Sequence, residues 1–306
     1  MKPDKTRGRR IGAGLPRKMR RGTPRMLKSA PMGPKNSLTK IEKYHGLGND
    51  FIVIEVEDPE SFSVDRALRF TNRHFGVGAD GVLLVSPAGS PAAWAKMSVI
   101  NADGSTPEMC GNGLRCVALH LAKKKSLDSG HFGIETGAGL LQCELKREGW
   151  QATVSTDMGP GVHLGTLQHP GTGLAELAEP FEFERISTGN PHAICFREQI
   201  SEALLDQLGP AVSGSILGGA NVEIATLISP TQIKVTVWER GVGRTLACGT
   251  GAAATVIAAV RLGYCSPDSD VTVDLPGGSL SIRVDQASHA VLTGPAQWVY
   301  AAESAL

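Results

Sequence analysis

The sequence predicts an α/β protein of two similar halves, and three observations support that prediction. Short apolar runs rich in β-branched residues alternate with Gly, Asn, Asp and Pro turns along most of the 306 residues. Two longer apolar segments, each directly after a Cys-Gly turn, have the length and pattern of helices. The residues around those two turns also align with each other without a gap, which indicates an internal repeat.

The strands and helices are assigned from length and periodicity. Strands are predicted over 51–56, 81–85, 97–100, 220–227, 233–238, 271–275 and 280–284. Residues 161–185 are predicted to be a looser connection, with a candidate strand at 182–186. Helices are predicted over 113–125 and 251–262. Because the second helix is almost entirely apolar, it should be buried within a sheet or barrel.

The internal repeat relates the two helices and their surroundings. Residues 99–113 (VINADGSTPEMCGNG) align with 237–251 (VWERGVGRTLACGTG), so that Cys110 corresponds to Cys248 at an offset of 138. Farther upstream, Gly-Asn at 48–49 corresponds to Gly-Asn at 189–190 at an offset of 141. The simplest account is two similar domains, 38–157 and 158–293, that meet at a turn over 157–160.

The basic residues are concentrated in the first 37 residues. Residues 1–37 contain twelve Lys or Arg and one acid, so a net charge of +1 for the whole chain leaves the remainder about ten charges negative. We interpret this segment as a disordered extension, or as the result of an upstream start codon when true initiation is at Met26 or Met32. An organellar transit peptide is the less favoured alternative. Aromatic residues make up only 5%, so we expect no nucleic-acid surface on the folded part.

The chain lacks a secretory apolar core and a run of about 20 apolar residues, so neither a signal peptide nor a membrane helix is predicted. We therefore expect a cytoplasmic protein with reduced thiols. No Cys-x-x-Cys pair occurs, and no zinc site is predicted. Four cysteines lack the Cys-Gly setting and are interpreted as structural, namely Cys116, Cys143, Cys195 and Cys265.

The chemistry indicated by the repeat is proton transfer. A helix N-terminus carries a partial positive charge and free N–H groups, so we expect it to favour the thiolate of Cys110 or Cys248 and to bind a carboxylate. Two such turns facing one cleft would place one sulfur on each face of an α-carbon, which allows inversion by two bases. No phosphate loop or Schiff-base lysine is recognisable, so no pyridoxal cofactor is predicted.

These motifs resemble the diaminopimelate epimerase family over roughly residues 40–304. The matching motifs are HGLGNDF (45–51), GVGADG (76–81), NADGS (101–105), MCGNGLRC (109–116), GNPH (189–192), ANVE (220–223), WERGVG (238–243) and ACGTGA (247–252). The resemblance implies two pseudo-symmetric α+β domains, each a curled, mostly antiparallel sheet around a central helix, with a final strand near 294–304 returning to the first domain. It also implies a homodimer, no cofactor and no metal.

The resemblance implies a role for each site residue in the interconversion of LL- and meso-2,6-diaminopimelate, a step toward lysine and peptidoglycan. Cys110 and Cys248 would be the catalytic pair, with Cys110 acting on the LL isomer, and His192 and Glu239 would tune the thiol pKa values. The reacting carboxylate would be held by Gly111, Asn112, Gly249 and Thr250. The rest of the site would be lined by Asn49, Asn101, Asn190, Asn221, Glu239 and Arg240, where Arg240 suits a carboxylate and Glu239 an ammonium group.

The sequence departs from the family pattern at two positions beyond the basic extension. Gly81 replaces a frequent Gln, and Arg244 replaces a frequent acid. Three alternative functions are less favoured by the sequence. A proline or hydroxyproline racemase of the same fold would carry a Cys-Gly-His turn, which is absent here. A thiol-nucleophile hydrolase would need a Cys-His pair. A binding protein without activity is not favoured, because both cysteines are present.

Overall fold

A computed structural model describes residues 38–169, 180–198 and 202–306. The strands are β1 Thr39–Gly46, β2 Asn49–Glu55, β3 Gly81–Ser86, β4 Ala93–Asn101, β5 Ser129–Thr136, β6 Gly139–Glu148, β7 Gln151–Pro160, β8 Val162–His169, β9 Phe181–Ser187, β10 Pro191–Phe196, β11 Asn221–Ser229, β12 Gln232–Glu239, β13 Gly243–Arg244, β14 Asp270–Leu275, β15 Gly278–Val284 and β16 His289–Ser304. The helices are α1 Val64–Thr71, α2 Gly111–Lys124, α3 Glu202–Ser215 and α4 Gly249–Arg261, and a short 3-10 helix spans Pro59–Ser61.

The first half is a closed barrel of eight strands. Strands β1 to β7 pair in sequence order, and β16 pairs with both β7 and β1, which closes the barrel. Helix α2 packs against all eight of these strands. Its residues from Asn112 to Ala122 are all buried, so α2 forms the centre of the apolar core of this half.

The second half repeats this arrangement around α4. Its strands follow the order β16-β15-β14-β12-β11-β10-β9-β8, and α4 packs against β9, β10, β11, β15 and β16. Parallel pairs occur at equivalent places, β2–β3 and β4–β5 in one half and β10–β11 and β12–β14 in the other. The remaining pairs of the main sheet order are antiparallel, so both halves are curled, mostly antiparallel sheets around a central helix, as predicted.

The strand pair β7–β16 joins the two halves. Residues 289–297 of β16 run antiparallel to 151–160 of β7, and the end of β16 then continues along β1. The chain after β7 likewise crosses to the second half as β8, which pairs with β9. The end of β16 therefore completes the first half, and β8 belongs to the sheet of the second half. The exact domain limits, 38–157 and 158–293, stay a prediction.

The seven predicted strands and both predicted helices are present, with ends that move by a few residues. The candidate strand at 182–186 is also present, as β9. Two predictions are wrong. Residues 157–160 form the end of β7 and not a turn, because Gly159 (φ 76°) takes part in a bulge that keeps the strand paired with β16. Residues 162–169, expected to be a loose connection, form β8 because they pair with β9.

The predicted disorder of 1–37, and the remainder of the predicted 161–185 connection at 170–179, lie outside the described residues. Within the described part of the chain, none of the helices has both the length and the apolar character needed to cross a membrane.

Candidate active site

A cavity of about 1780 Å³ lies between the two halves, at the N-terminal ends of α2 and α4. Both Cys110 and Cys248 line it. Ten other predicted site residues also line it, namely Asn49, Asn101, Gly111, Asn112, Asn190, Asn221, Glu239, Arg240, Gly249 and Thr250. His192 does not line the cavity; it is buried behind the wall, 1% exposed.

The two cysteine turns have the same local geometry. Each cysteine is the N-cap residue of its helix with an extended backbone, at φ −141° for Cys110 and φ −123° for Cys248. In both turns the sulfur accepts a hydrogen bond from the N–H three residues later, Gly113 and Gly251, each at 3.4 Å. The thiol thus takes the place of the Ser or Asp oxygen that usually caps a helix.

Burial changes the expected ionisation of both thiols. Desolvation raises the pKa of Cys110, although the N–H of Gly113 and the cation of Arg115 act in the opposite direction. Desolvation also raises the pKa of Cys248 well above its ordinary value, and Glu239 and Glu223 add to that rise. The N–H groups at the helix ends lower both pKa values, as expected, but the loss of water outweighs them, so the net shift in this structure is upward.

Glu239 lies at the end of β12, close enough to both sulfurs to influence them. Its negative charge raises the pKa of each thiol. Its own pKa is raised mainly by burial, while hydrogen bonds from Thr245 and Cys248 lower it. The Thr245 hydroxyl donates to Oε1 of Glu239 at 2.5 Å. Thr245 was not singled out from the sequence.

A chain of hydrogen bonds connects Cys248 to a buried acid. The Cys248 sulfur is 3.4 Å from Oγ1 of Thr250, which accepts from Nδ2 of Asn190 at 3.4 Å. Oδ1 of Asn190 is 3.0 Å from Nε2 of His192, and Nδ1 of His192 is 2.7 Å from Oε1 of Glu223. His192 therefore reaches Cys248 only through two other residues. Glu223 belongs to the ANVE motif but received no role in the sequence analysis.

A second network surrounds the Cys110 turn. Nδ2 of Asn112 donates to Oδ1 of Asn49 at 3.1 Å and to the carbonyl of Ala247 at 3.3 Å, and Asn49 in turn donates to Asp80 at 2.9 Å. The carbonyl of Ala247 directly precedes Cys248, so Asn112 links the two cysteine turns. Arg73, which pairs with Asp80 at 2.7 Å, completes the network.

Arg115 is the buried cation of this network. It is 0% exposed, although arginine is rarely buried without an acid. Its guanidinium donates to the carbonyl of Pro295 at 3.1 Å, to the carbonyl of Gly111 at 3.2 Å and to Oδ1 of Asn112 at 2.5 Å. Among the described residues no carboxylate forms an ion pair with it. Arg115 belongs to the MCGNGLRC motif but, like Glu223, received no role from the sequence.

Arg240 and two asparagines, Asn101 and Asn221, also line the cavity. The backbone N–H of Arg240 donates to Oδ1 of Asn221 at 2.9 Å, and its guanidinium donates to the carbonyl of Gly218 at 2.6 Å. Asn101 donates to Ser105 at 2.9 Å. Arg240 thus has an anchored guanidinium with other N–H groups still able to bind an anion.

The two departures from the family pattern lie beside the site. A Cβ on Gly81 would be 3.1 Å from the carbonyl of Ile100 and 3.4 Å from the ring of Phe51, so a glutamine would need a shift of the backbone. Arg244 lines the cavity and pairs with Asp206 at 2.9 Å. Among the described residues, no group of three or more His, Cys, Asp or Glu side chains is arranged to hold a metal ion.

Structural comparison finds the same fold in known racemases and epimerases. A hydroxyproline epimerase from Agrobacterium vitis superposes with a TM-score of 0.71 at 16% identity, over 88% of this chain and 93% of that one. A probable proline racemase from Agrobacterium radiobacter superposes with a TM-score of 0.70, also at 16% identity, over 88% and 93%. At this identity the likeness establishes the fold alone.

Sequence comparison is more specific. The family model for diaminopimelate epimerase matches residues 41–164 and 185–299. A diaminopimelate epimerase from Synechococcus elongatus is 39% identical over 276 residues, covering 85% of this chain and 96% of its own. One from Desulfitobacterium hafniense is 40% identical over 279 residues, covering 85% and 96%. With the two capped cysteines at one cavity, these matches establish that the chain belongs to the diaminopimelate epimerase family.

Proposed function

We propose that this protein interconverts LL- and meso-2,6-diaminopimelate by moving one α-proton between Cys110 and Cys248. The observation that carries the proposal is the pairing of two equivalent turns. Each cysteine caps a buried helix, and both sulfurs line one cavity between the halves. A substrate in that cavity would be exposed to one sulfur from each half.

The carboxylate at the reacting carbon would bind at the two helix ends. The first residues of α2 and α4, Gly111 with Asn112 and Gly249 with Thr250, line the cavity. Their N–H groups have no partner within the helix, and both helix dipoles favour a negative charge there. Negative charge that develops on this carboxylate during the reaction would be stabilised by the same groups.

The other end of the substrate would bind the polar wall formed by Asn49, Asn101, Asn190, Asn221, Glu239 and Arg240. Arg240 suits the distal carboxylate because a guanidinium can donate two parallel hydrogen bonds. Glu239 suits an ammonium group. A substrate with a second amino-acid end thus finds a partner for both the carboxylate and the ammonium group of that end, which proline lacks.

The reaction step needs one thiolate and one thiol. The thiolate forms an S–H bond with the α-proton, the C–H bond breaks, and its electron pair passes into the α-carboxylate. The opposite thiol then gives its proton to the other face of the carbon and becomes the thiolate. The reverse reaction exchanges the two roles, so no net proton is consumed and the proposal needs no cofactor or metal.

Burial of the thiols has two opposing effects on this step. A raised thiol pKa makes the thiolate a stronger base toward the very weakly acidic α-carbon, but it lowers the thiolate fraction at neutral pH. Since the pKa values of both free thiols are raised, we expect kcat/KM to increase with pH from 7 toward 9.

The proposal is tested by incubating the protein with LL-diaminopimelate in deuterium oxide and following the α-proton by NMR. We expect exchange coupled to inversion without added pyridoxal phosphate, and a loss of at least about 10³-fold in Cys110→Ala and in Cys248→Ala. Activity that survives either substitution would exclude the two-base mechanism. Turnover of L-proline or trans-4-hydroxy-L-proline in place of diaminopimelate would favour the racemase alternative, and an acyl-enzyme formed from a thioester would favour a hydrolase.

We further propose, from the family resemblance, that the protein works as a homodimer in the cytoplasm. Light scattering after size-exclusion chromatography tests the first point and cell fractionation the second. Oxidation should also join Cys110 and Cys248 in a disulfide, since both sulfurs must approach one carbon. Failure to form it under mild oxidant, with both thiols accessible to alkylation, would contradict that approach.

A further inference from the structure

A fully buried Glu–His pair lies behind Cys248, outside the cavity wall. The side chains of Glu223 and His192 are each 0% exposed, and Oε1 of Glu223 is 2.7 Å from Nδ1 of His192. Oε2 of Glu223 is buried without a hydrogen-bond partner among the described residues. A buried carboxylate with one oxygen unsatisfied is costly, so packing alone does not account for the pair.

The neighbours of His192 determine where its protons are. Oδ1 of Asn190 can only accept a hydrogen bond, so Nε2 of His192 at 3.0 Å must carry a hydrogen. A single further proton then lies between Nδ1 and Oε1 of Glu223.

The donors of Asn190 and Thr250 follow from the same hydrogen-bond pattern. With its oxygen facing His192, Asn190 directs Nδ2 to Oγ1 of Thr250, which accepts at 3.4 Å. The hydroxyl hydrogen of Thr250 is thereby left to donate to Sγ of Cys248 at 3.4 Å. Every donor in the chain from His192 to Cys248 points toward the sulfur.

We propose that Glu223 is a positioning residue that holds His192 in this protonation pattern, so that Asn190 and Thr250 deliver a directed hydrogen bond to the Cys248 sulfur. The inference rests on the proposed function of Cys248 as one of the two bases. Without a partner at Nδ1, His192 can move its hydrogen to that nitrogen and present a lone pair at Nε2. Asn190 would then turn its amide around, and Thr250 would lose its donor.

The equivalent place in the first half shows that packing does not require an acid. A Cβ on Gly251 would meet Oε1 of Glu223 at 2.4 Å and the sulfur of Cys248 at 3.3 Å. A Cβ on Gly113 would meet Cδ2 of Leu83 at 2.8 Å and the sulfur of Cys110 at 3.4 Å. A leucine therefore fills the same space behind the other cysteine, so the carboxylate serves something that packing alone does not need.

Several charged groups face Cys248, and they must be separated in a test. Glu239 on β12 and Glu223 on β11 both raise the thiol pKa through their charge, while Thr250 and the N–H of Gly251 lower it. His192 on β10 acts through the chain. Glu223→Gln removes the charge but keeps the chain, because the introduced amide N–H can donate to Nδ1. Glu223→Leu removes both.

The first readout is the pH dependence of alkylation by iodoacetamide, followed at each cysteine by peptide mass spectrometry. We expect the Cys248 profile of Glu223→Leu to lie at higher pH than that of Glu223→Gln, because both variants lose the carboxylate and only the leucine variant loses the hydrogen bond that Thr250 donates to the sulfur. The Cys110 profile should stay in place. Coincident Cys248 profiles in the two variants, or an equal difference between the variants at Cys110, would overturn the proposal.

The second readout is a double-mutant cycle on kcat/KM. We expect Glu223→Gln to stay within about threefold of the parent and Glu223→Leu to lose about 30-fold, as for a hydrogen bond to a charged group. In a Thr250→Val background, Glu223→Leu should cost less than about twofold more, since the chain is already broken. A full 30-fold loss in that background would mean that Glu223 acts by another route and would overturn the proposal.

A matched control is available in the same half. Glu184 on β9 is a nearly buried acid that contacts His163 at 2.9 Å and Arg261 at the far end of α4. Glu184→Gln should leave the Cys248 profile unchanged, while circular dichroism confirms that each variant is folded. If the parent protein itself lacks α-proton exchange, the proposed function fails; if the parent is active and Glu223→Leu behaves like the parent, only the positioning role fails.

Discussion

The two cysteine turns share one backbone and differ in what lies behind it. Cys110 and Cys248 each cap a helix and accept an N–H at 3.4 Å. Behind Cys110 the space next to the helix glycine is filled by Leu83, and behind Cys248 it is filled by Glu223. The repeat thus preserves the geometry of the turn and changes the chemistry around it.

The neighbouring strands show the same contrast. Asn49 and Asn190 are equivalent, and two residues later β2 carries Phe51 where β10 carries His192. Phe51 pairs with Gly81 on β3, and His192 pairs with Asn221 on β11. One half is therefore apolar behind its cysteine, and the other contains a hydrogen-bonded chain.

The buried charges near the two thiols differ in sign. Arg115 lies one turn after Gly111 in α2, and at an offset of 138 the equivalent position in α4 is Ala253. The cation of Arg115 lowers the pKa of Cys110, whereas the carboxylate of Glu223 raises that of Cys248. Two thiols in identical surroundings would have equal intrinsic affinity for a proton, whereas a two-base inversion needs one ionised and one protonated. The asymmetry favours Cys110 as the thiolate of the free enzyme.

The largest effect that sharpens this comparison is expected from Arg115→Met. It removes the buried cation that lowers the Cys110 pKa and releases the amide of Asn112, so kcat/KM should fall by about 100-fold. Alkylation of Cys110 at pH 8 should become slower, while that of Cys248 stays the same. Arg115→Lys, which keeps the charge without the three-point geometry, is the control. Equal slowing at both cysteines would contradict a local role for Arg115.

A smaller and symmetric effect is expected from Glu239→Gln. Its charge raises the pKa of both thiols, so its removal should lower both, and alkylation at pH 8 should accelerate roughly tenfold at Cys110 and Cys248 alike. The rise of kcat/KM with pH should begin at lower pH for the same reason. Acceleration at only one cysteine would show that the charge of Glu239 affects the pKa of that thiol alone.

The smallest effect is expected at a cysteine outside the turns. Burial raises the pKa of Cys143 to about 11, and its sulfur contacts only the Thr156 hydroxyl at 3.9 Å among its polar neighbours. Cys143→Ala should therefore leave kcat/KM unchanged within twofold and lower the free energy of unfolding by about 1 kcal/mol, measured by urea denaturation. A large loss of activity would mean that the thiol chemistry extends beyond the two turns.

Several structural features could not be predicted from local sequence. Helix α3 contains Pro210, a residue that normally interrupts helices, and the neighbouring Gly209 lies so close to Trp238 on β12 that a Cβ there would meet the indole at 2.3 Å. Strand β7 continues through Gly-Pro at 159–160 because β16 pairs with it. In the strand, a partner distant in the sequence overrides a local signal for a turn.

The sequence predicted which residues line the candidate site but not the hydrogen bonds that connect them. Of the predicted residues, His192 alone lies behind the cavity, and its effect on Cys248 passes through Asn190 and Thr250. Glu223 and Arg115 were both within quoted motifs, but nothing in one sequence distinguishes a buried charge from a solvated one. Only the packing of the folded chain shows that these two side chains are buried.

The sequence by itself determined the repeat, the two Cys-Gly turns, the helices that follow them and the family, because these depend on spacing and local pattern. The tertiary structure decided the rest. Pairing of β16 with β1 and β7 closes one barrel and brings both helix ends to one cavity. Burial there reverses the expected direction of the thiol pKa values, since desolvation depends on everything that surrounds a group and not on its neighbours in the chain.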